Sequence, residues 1–430
     1  MGSDSSSKNR WLIAASAMLI HISIGSVYAY SVYQNPIQQS QGWSIAAVTA
    51  AFTVAIFTLG LSTAILGRYV ERYGPRVSGF VAASTYGTGT ALAGVAVDMG
   101  SHVAFLLTYG VLAGIGLGIG YITPISTLVK WFPDRRGLAT GLAVMGFGAG
   151  ALVTGPVANA LIGVVGIPST FYILGVAYFL AMAAGASYLQ KPPEGWQPGG
   201  LDLDEGDGNT RMGVRVESDL QQLTASEAIR TPQFYLVWVI VFINISAGIM
   251  LLSVASNMTQ AVTGASAAVA ATVVGFIGVF NGAGRIVWSS LSDYLGRTRT
   301  YAIFFTIQIV AFLALPRVTT LPLFAGITFL IITCYGGGFA CLPAYLADLF
   351  GTQELGAIHG YALTAWSLAG VAGPTLVSRI VEATGSYRLS FYVVSGALFI
   401  GLLSVGLLRW RVGVVRNAQL EMTPHAGLEP

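Results

Sequence analysis

Charge is what this chain has least of. Only 9% of its 430 residues are Asp, Glu, Lys or Arg, against roughly 25% in a soluble domain. So few charges cannot cover a water-exposed surface of this length, which excludes a soluble fold and leaves a polytopic membrane protein. Cysteine is nearly missing as well. Cys334 and Cys341 fall in one apolar run and offer neither a disulfide framework nor a metal site. With four histidines and no H-E-x-x-H pattern, a membrane metalloenzyme is excluded, and no cofactor is expected. No G-x-x-x-x-G-K-[ST] loop is present, which excludes ATP-driven transport. The net charge of +3 gives no reason to expect a nucleic-acid partner. No soluble domain of the kind a sensor would carry is present. Met1–Arg10 is polar, and the apolar run behind it is too long for a cleavable signal peptide.

Apolar length is what the chain has in quantity: 54% of residues are hydrophobic. A helix needs about 20 apolar residues to cross the hydrocarbon core. Runs of that kind lie near 11–36, 44–69, 77–97, 102–130, 137–162 and 168–189, and again near 232–260, 266–292, 300–316, 320–349, 355–381 and 389–409. The expectation is therefore an all-α protein of twelve transmembrane helices in two six-helix halves, 11–189 and 232–410. Residues 1–10 and 411–430 form terminal segments. The break at 190–231 is rich in Pro and Gly and then in acid, as in KPPEGWQPGG and LDLDEGDGN, and reads as a linker. Within it, Thr224-Ala225-Ser226-Glu227 has the pattern of a capping box that starts a short surface helix.

Lys and Arg orient the chain. Of 21 such residues, Arg317, Arg379 and Arg388 fall near one side and Arg285 lies inside a span. The rest share a side with both termini, so the termini are expected in the cytoplasm. The halves also repeat. Glu71 and Gly74 in GRYVERYGPR are matched by Asp293 and Gly296 in SSLSDYLGRTR, each displaced by 222 residues. Gly155-Pro156 and Gly373-Pro374 form a second echo, displaced by 218. In transporters such internal symmetry places a site at the repeat interface near the midplane. Gly110, Gly114 and Gly118 follow the small-xxx-small spacing of close helix packing.

The two loops resemble the G-x-x-x-[DE]-[RK]-x-G-x-[RK] signature of the major facilitator superfamily, with Ser289 for the glycine and Tyr294 for the basic residue in the second copy. Further segments resemble the monocarboxylate transporters and the bacterial oxalate–formate antiporters. They are Tyr33-Gln34-Asn35-Pro36, Lys130-Trp131-Phe132-Pro133-Asp134-Arg135-Arg136-Gly137, Arg230-Thr231-Pro232-Gln233-Phe234, Asn281-Gly282 through Arg285, and Ala347-Asp348-Leu349-Phe350-Gly351. The resemblance implies a secondary transporter working by alternating access, monomeric, in the inner membrane of a bacterium. It also implies that Glu71, Arg72, Asp293 and Arg297 latch the cytoplasmic ends. The WFPDRRG turn is expected to matter for topology rather than chemistry.

Arg285 carries the chemistry. A guanidinium keeps its charge at any ordinary pH, and a charge at membrane depth costs about 2.5 kcal/mol or more, which makes it a functional-site hypothesis. Counting about 1.5 Å per residue from Asp293 puts Arg285 about 12 Å inside the boundary. Asn281, one turn away, shares its face. Tyr121, Tyr335, Phe339, Tyr361 and Tyr28 come from other helices at similar depth, with plain core packing as the rival role for each. A guanidinium grips a carboxylate bidentately, and aromatic rings shape an apolar pocket around a short carbon chain. The rival reading of Arg285 is a structural pair with a buried acid or with helix carbonyls.

Two departures bear on substrate. The oxalate–formate antiporters carry a second cation in a G-[FY]-x-x-x-A-K run, whereas Gly360-Tyr361-Ala362-Leu363-Thr364-Ala365-Trp366 places tryptophan there. A single buried cation balances a single carboxylate. The expected substrate is thus a small monocarboxylate such as L-lactate or pyruvate, with a proton as its partner. The acid and lysine that handle protons in animal monocarboxylate transporters are replaced or missing. His21 is the candidate proton carrier, with a neutral hydrogen-bonded histidine as the alternative, and His359 is expected at the surface or a gate.

Overall fold

The computed structural model describes residues 8–193, 196, 210–211, 214–215 and 220–422. Of the expected terminal segments 1–10 and 411–430, residues 1–7 and 423–430 lie outside the described residues, as does the acidic run 201–209, whereas 411–422 continue the last helix. The first expected span is broken: α1 (Arg10–Gly25) ends in a 3-10 turn, Ser26–Ala29, before α2 (Ser31–Gln41). Then come α3 (Ile45–Tyr73), α4 (Pro75–Asp98) and α5 (His102–Phe105), which passes through a π-helical stretch, Leu106–Leu112, into α6 (Ala113–Trp131). The fifth and sixth expected spans run together as α7 (Arg136–Tyr188), bent at Gly166, which has a positive φ of 78°.

The 190–231 segment holds a two-residue antiparallel pair, β1 (Thr210–Arg211) with β2 (Val214–Arg215), and α8 (Ala225–Ala228). The capping box is present: Thr224 accepts from the Glu227 amide, and Glu227 accepts from the Thr224 amide. The remaining elements are α9 (Pro232–Thr263), α10 (Ala267–Leu295), α11 (Arg297–Ala314), α12 (Leu321–Phe350), α13 (Leu355–Ala362), α14 (Thr364–Thr384) and α15 (Arg388–Met422). The eleventh expected span is therefore two helices that meet at Leu363. Among the described residues, nine helices are long and apolar enough to cross a membrane. Apolar side chains such as Leu152 and Val164 stand exposed along them, as lipid-facing residues do.

Local chemistry explains the repeat. Ser44 and Ser266 accept the Ala47 and Val269 amides and cap α3 and α10, both 29 residues long. Both helices end at a glycine of positive φ, Gly74 at 82° and Gly296 at 84°, and a new helix starts directly behind it. That backbone favours glycine, so the echo read in the sequence is a duplicated turn.

Elements α1, α3, α4, α6 and α7 pack on one another, and α9 to α12, α14 and α15 do likewise. The two groups meet where α3 packs on α13 and where α7 packs on α10 and α12. The glycine stripe of the π-helical stretch and α6 lies against Val54, Thr58 and Ser62 of α3, where a Cβ on Gly110, Gly114 or Gly118 would collide.

Candidate functional site

A cavity of about 810 Å³ lies between the two groups of helices. Its walls come from the Tyr28 turn, α3 (Phe52, Thr53, Ile56), α7 (Met145, Gly148, Leu152), α9 (Ile249, Leu252), α10 (Asn281, Arg285), α12 (Tyr335) and α14 (Trp366, Val371). α3 and α10 end, and α7 begins, at one charged end of the molecule. The lining residues sit from mid-helix toward the other end, so the cavity reaches away from the charges.

At the charged end the groups are sealed together. Asp293 accepts from the Gly137 and Leu138 amides of α7, at 2.8 and 3.0 Å, and pairs with Arg297 at 2.6 Å. Asp348 sits between Arg136 and Arg297, at 2.8 and 2.9 Å. Glu71 bonds Lys130 and Ser126 and accepts from the Gly356 amide at 3.2 Å. A Cβ on Gly67 or Gly356 would strike the other's carbonyl, so α3 and α13 touch backbone to backbone. Three of the four expected latch residues, Glu71, Asp293 and Arg297, are in this seal. Arg72 is not: it is exposed, with its guanidinium 5.7 Å from the Tyr73 ring. The WFPDRRG turn is more than topological, because Arg136 and the Gly137 amide are its cross-links. Lys130 and Asp348 also belong to the seal, and nothing in their spacing sets them apart from ordinary loop charges.

The seal gives a direct expectation. Asp348→Asn leaves Arg136 and Arg297 facing each other without their shared carboxylate, so this end opens more often. Cys341 is buried on α12 beneath it and serves as the probe. In a Cys334→Ser background, its alkylation by an impermeant maleimide rises by about tenfold, the equivalent of about 1.4 kcal/mol. Unchanged labelling would refute the latch.

Arg285 lies at the cavity floor, 4% exposed. Its Nη1 donates to the Val144 carbonyl of α7 at 2.7 Å, and its Nε donates to Asn281 Oδ1 at 3.3 Å. No carboxylate pairs with it among the described residues. The helix-carbonyl reading thus accounts for one arm of the guanidinium and leaves its charge without a counter-ion. Tyr28 and Tyr335 line the cavity beside it. Phe339 does not, but its ring lies 5.7 Å from the guanidinium carbon and packs edge-on against Trp366 at 5.5 Å.

Tyr121 is one ring farther from the cavity, fully buried, 6.1 Å from Phe339 and 5.3 Å from Phe147. Tyr361 is half-buried on α13 and does not line the cavity. His21 stacks on Tyr121 at 5.4 Å, and its two ring nitrogens meet the carbonyls of Ala143 at 2.6 Å and Tyr121 at 2.9 Å. A neutral ring donates to one of these acceptors, an imidazolium to both. His359 is not at the surface: it is 1% exposed in the same ring cluster, 5.9 Å from Tyr121. Depth counted along a helix could not place it, because closure of α13 on α3 buries a position near the helix end. Chemically, the arrangement offers one fixed cation with donors to spare, a carboxamide, two phenols at the wall and an apolar surround.

A profile of the Major Facilitator Superfamily matches residues 13–288 and 237–424. The chain is 28% identical to the oxalate:formate antiporter of Oxalobacter formigenes, over 97% of this chain and 95% of that one. It is 23% identical to apicoplast pyruvate carrier 1 of Toxoplasma gondii, over 85% and 74%. Among solved structures, the fucose:proton symporter FucP of E. coli superposes with a TM-score of 0.70 at 12% identity, covering 93% of this chain and 99% of that one. That likeness shows the fold. The predominantly helical architecture, the spanning helices and the profile agree: the chain belongs to the major facilitator superfamily and is a multi-pass membrane transporter, not an enzyme.

Proposed function

We propose that the protein carries small monocarboxylates, of which L-lactate and pyruvate are typical, together with a proton, by alternating access. The observation that carries this reading is Arg285: a buried guanidinium at the cavity floor with no acidic partner among the described residues, facing apolar and aromatic walls. A carboxylate supplies the missing charge and takes paired hydrogen bonds. Asn281 orients the guanidinium, and Tyr28 and Tyr335 offer hydroxyls to a 2-hydroxy or 2-oxo group. Trp366 occupies the wall where a second cation would be needed for a dicarboxylate. In this reading the chain crosses the inner membrane of a bacterium twelve times as two six-helix halves, works as a monomer and keeps both termini in the cytoplasm. The charged end is then cytoplasmic, and the cavity faces outward.

The rival is an organic-anion exchanger, favoured by the match to the oxalate:formate antiporter along nearly the whole chain. Uptake into proteoliposomes separates the two. Labelled L-lactate is expected to accumulate when the interior is made alkaline, with pyruvate competing and oxalate not. Uptake that ignores the pH gradient and requires an internal anion would establish exchange instead.

A further inference from the structure

A second cavity, of about 280 Å³, opens at the charged end of the molecule, beside the seal. Its walls come from the first turn of α11, the end of α12 and the last turns of α15, and four of its lining residues are Arg297, Arg299, Arg409 and Arg416. Asp348 is the only acid among the described residues that line it, and it already sits between Arg136 and Arg297. Arg299, Arg409 and Arg416 are exposed and pair with no acid among the described residues. Like charges gathered around one hollow repel each other, and an anion in the hollow removes that cost.

The fold does not demand these arginines. The turn before α4 duplicates the turn before α11, and three residues past its glycine it carries Val77 where the second copy carries Arg299. On α15, Arg409, Val412, Gly413 and Arg416 follow the spacing of a single helix face. Val412 is half-buried there, and a Cβ on Gly413 would stand in open space, so the hollow has a shallow floor between two cations.

The adjoining face of α15 is of another kind. Leu403, Leu407 and Trp410 are exposed in a stripe that ends in the tryptophan. A tryptophan at the end of an apolar stripe marks the level of the headgroups. Arg409 is its neighbour in sequence, and Arg416 stands about 10 Å farther along the axis. The hollow therefore joins a lipid-facing surface on one side and the charged end on the other.

We propose that this hollow binds the headgroup of an anionic phospholipid. The phosphate lies among Arg299, Arg409 and Arg416, and the acyl chains run along the stripe from Trp410 to Leu403. Basic pockets between membrane helices suit such headgroups, and each guanidinium offers paired donors to a phosphate. A soluble anion would meet the same cations but would leave the continuous apolar stripe unused. The helices α11, α12 and α15 belong to one packed group, so the site stays whole when the seal opens. It requires only that the charged end meet a membrane surface, and it holds whatever solute the carrier moves.

The test titrates purified full-length protein in a non-ionic detergent with labelled phosphatidylglycerol and counts bound lipid per chain. The expected result is a tight component of about one lipid per chain, which weakens about 100-fold in the Arg299→Gln/Arg409→Gln/Arg416→Gln variant. Each single substitution weakens it about fivefold, so the test stands even if the triple variant does not fold. Arg68→Gln/Arg72→Gln/Arg76→Gln removes as many exposed charges at the same end and is expected to change the tight component by less than about twofold. Equal loss in both triple variants would reveal a diffuse surface charge and overturn the site, as would undiminished binding in the first. Inorganic phosphate that displaces the lipid at matching concentration would make this a soluble-anion site and overturn the lipid assignment. Phosphatidylcholine that binds as tightly would overturn the role of the arginines.

Discussion

Arg285→Ala is expected to bind L-lactate at least about 30-fold more weakly than the native chain and to lose its uptake. Removing one partner of a buried, hydrogen-bonded charge pair costs about 2–5 kcal/mol, and each 1.4 kcal/mol is tenfold in Kd. Arg285→Lys keeps the charge but not the planar pair of donors, so it recovers part of the binding at best. The variant also loses the bond from Arg285 Nη1 to the Val144 carbonyl, which ties α10 to α7 across the cavity. Thermal unfolding with and without lactate separates the two effects. A loss of packing lowers the Tm of the free protein, whereas a loss of the site removes the shift that lactate produces. Undiminished uptake by Arg285→Ala would sink the site assignment.

Trp366→Lys should exchange substrate class rather than merely damage the carrier. Trp366 is 6% exposed, lines the cavity and holds Phe339 edge-on, and Phe339 in turn faces Arg285. A lysine there puts a second cation in the same cavity. With a monocarboxylate bound, one buried charge is left over, which costs several kcal/mol; with a dicarboxylate, both are met. The expected outcome is a shift in oxalate-to-lactate preference of about 100-fold, or about 2.7 kcal/mol, read as competition in counterflow. A variant that keeps the native preference for lactate would show that charge count does not set substrate class in this cavity.

Some of this was legible in the residues. The apolar runs and the duplicated loop gave the helical class and the internal echo, because membrane crossing and glycine turns of positive φ are local demands written in composition and spacing. The shared face of Asn281 and Arg285 was legible for the same reason, since i and i+4 meet on any helix. The chain alone also identified Arg285 as a charge out of place.

The rest depended on how helices close on one another. Tyr121 and Tyr361 count to the same depth as the cavity residues, yet one is sealed beneath it and the other stands apart, because depth along a helix does not fix direction around its axis. Arg136 and Asp348 look like ordinary loop charges until α7 and α12 bring them to 2.8 Å. His359 looks like an end-of-helix residue until α13 packs backbone to backbone on α3. Sequence by itself determined that this protein is a helical membrane carrier with an arginine, Arg285, inside one of its spans. Only the tertiary structure decided which rings surround that cation, which charges seal the end below it, and that a second histidine lies between them, because those are contacts between separate helices, from 51 residues apart (Arg297 and Asp348) to 285 (Glu71 and Gly356).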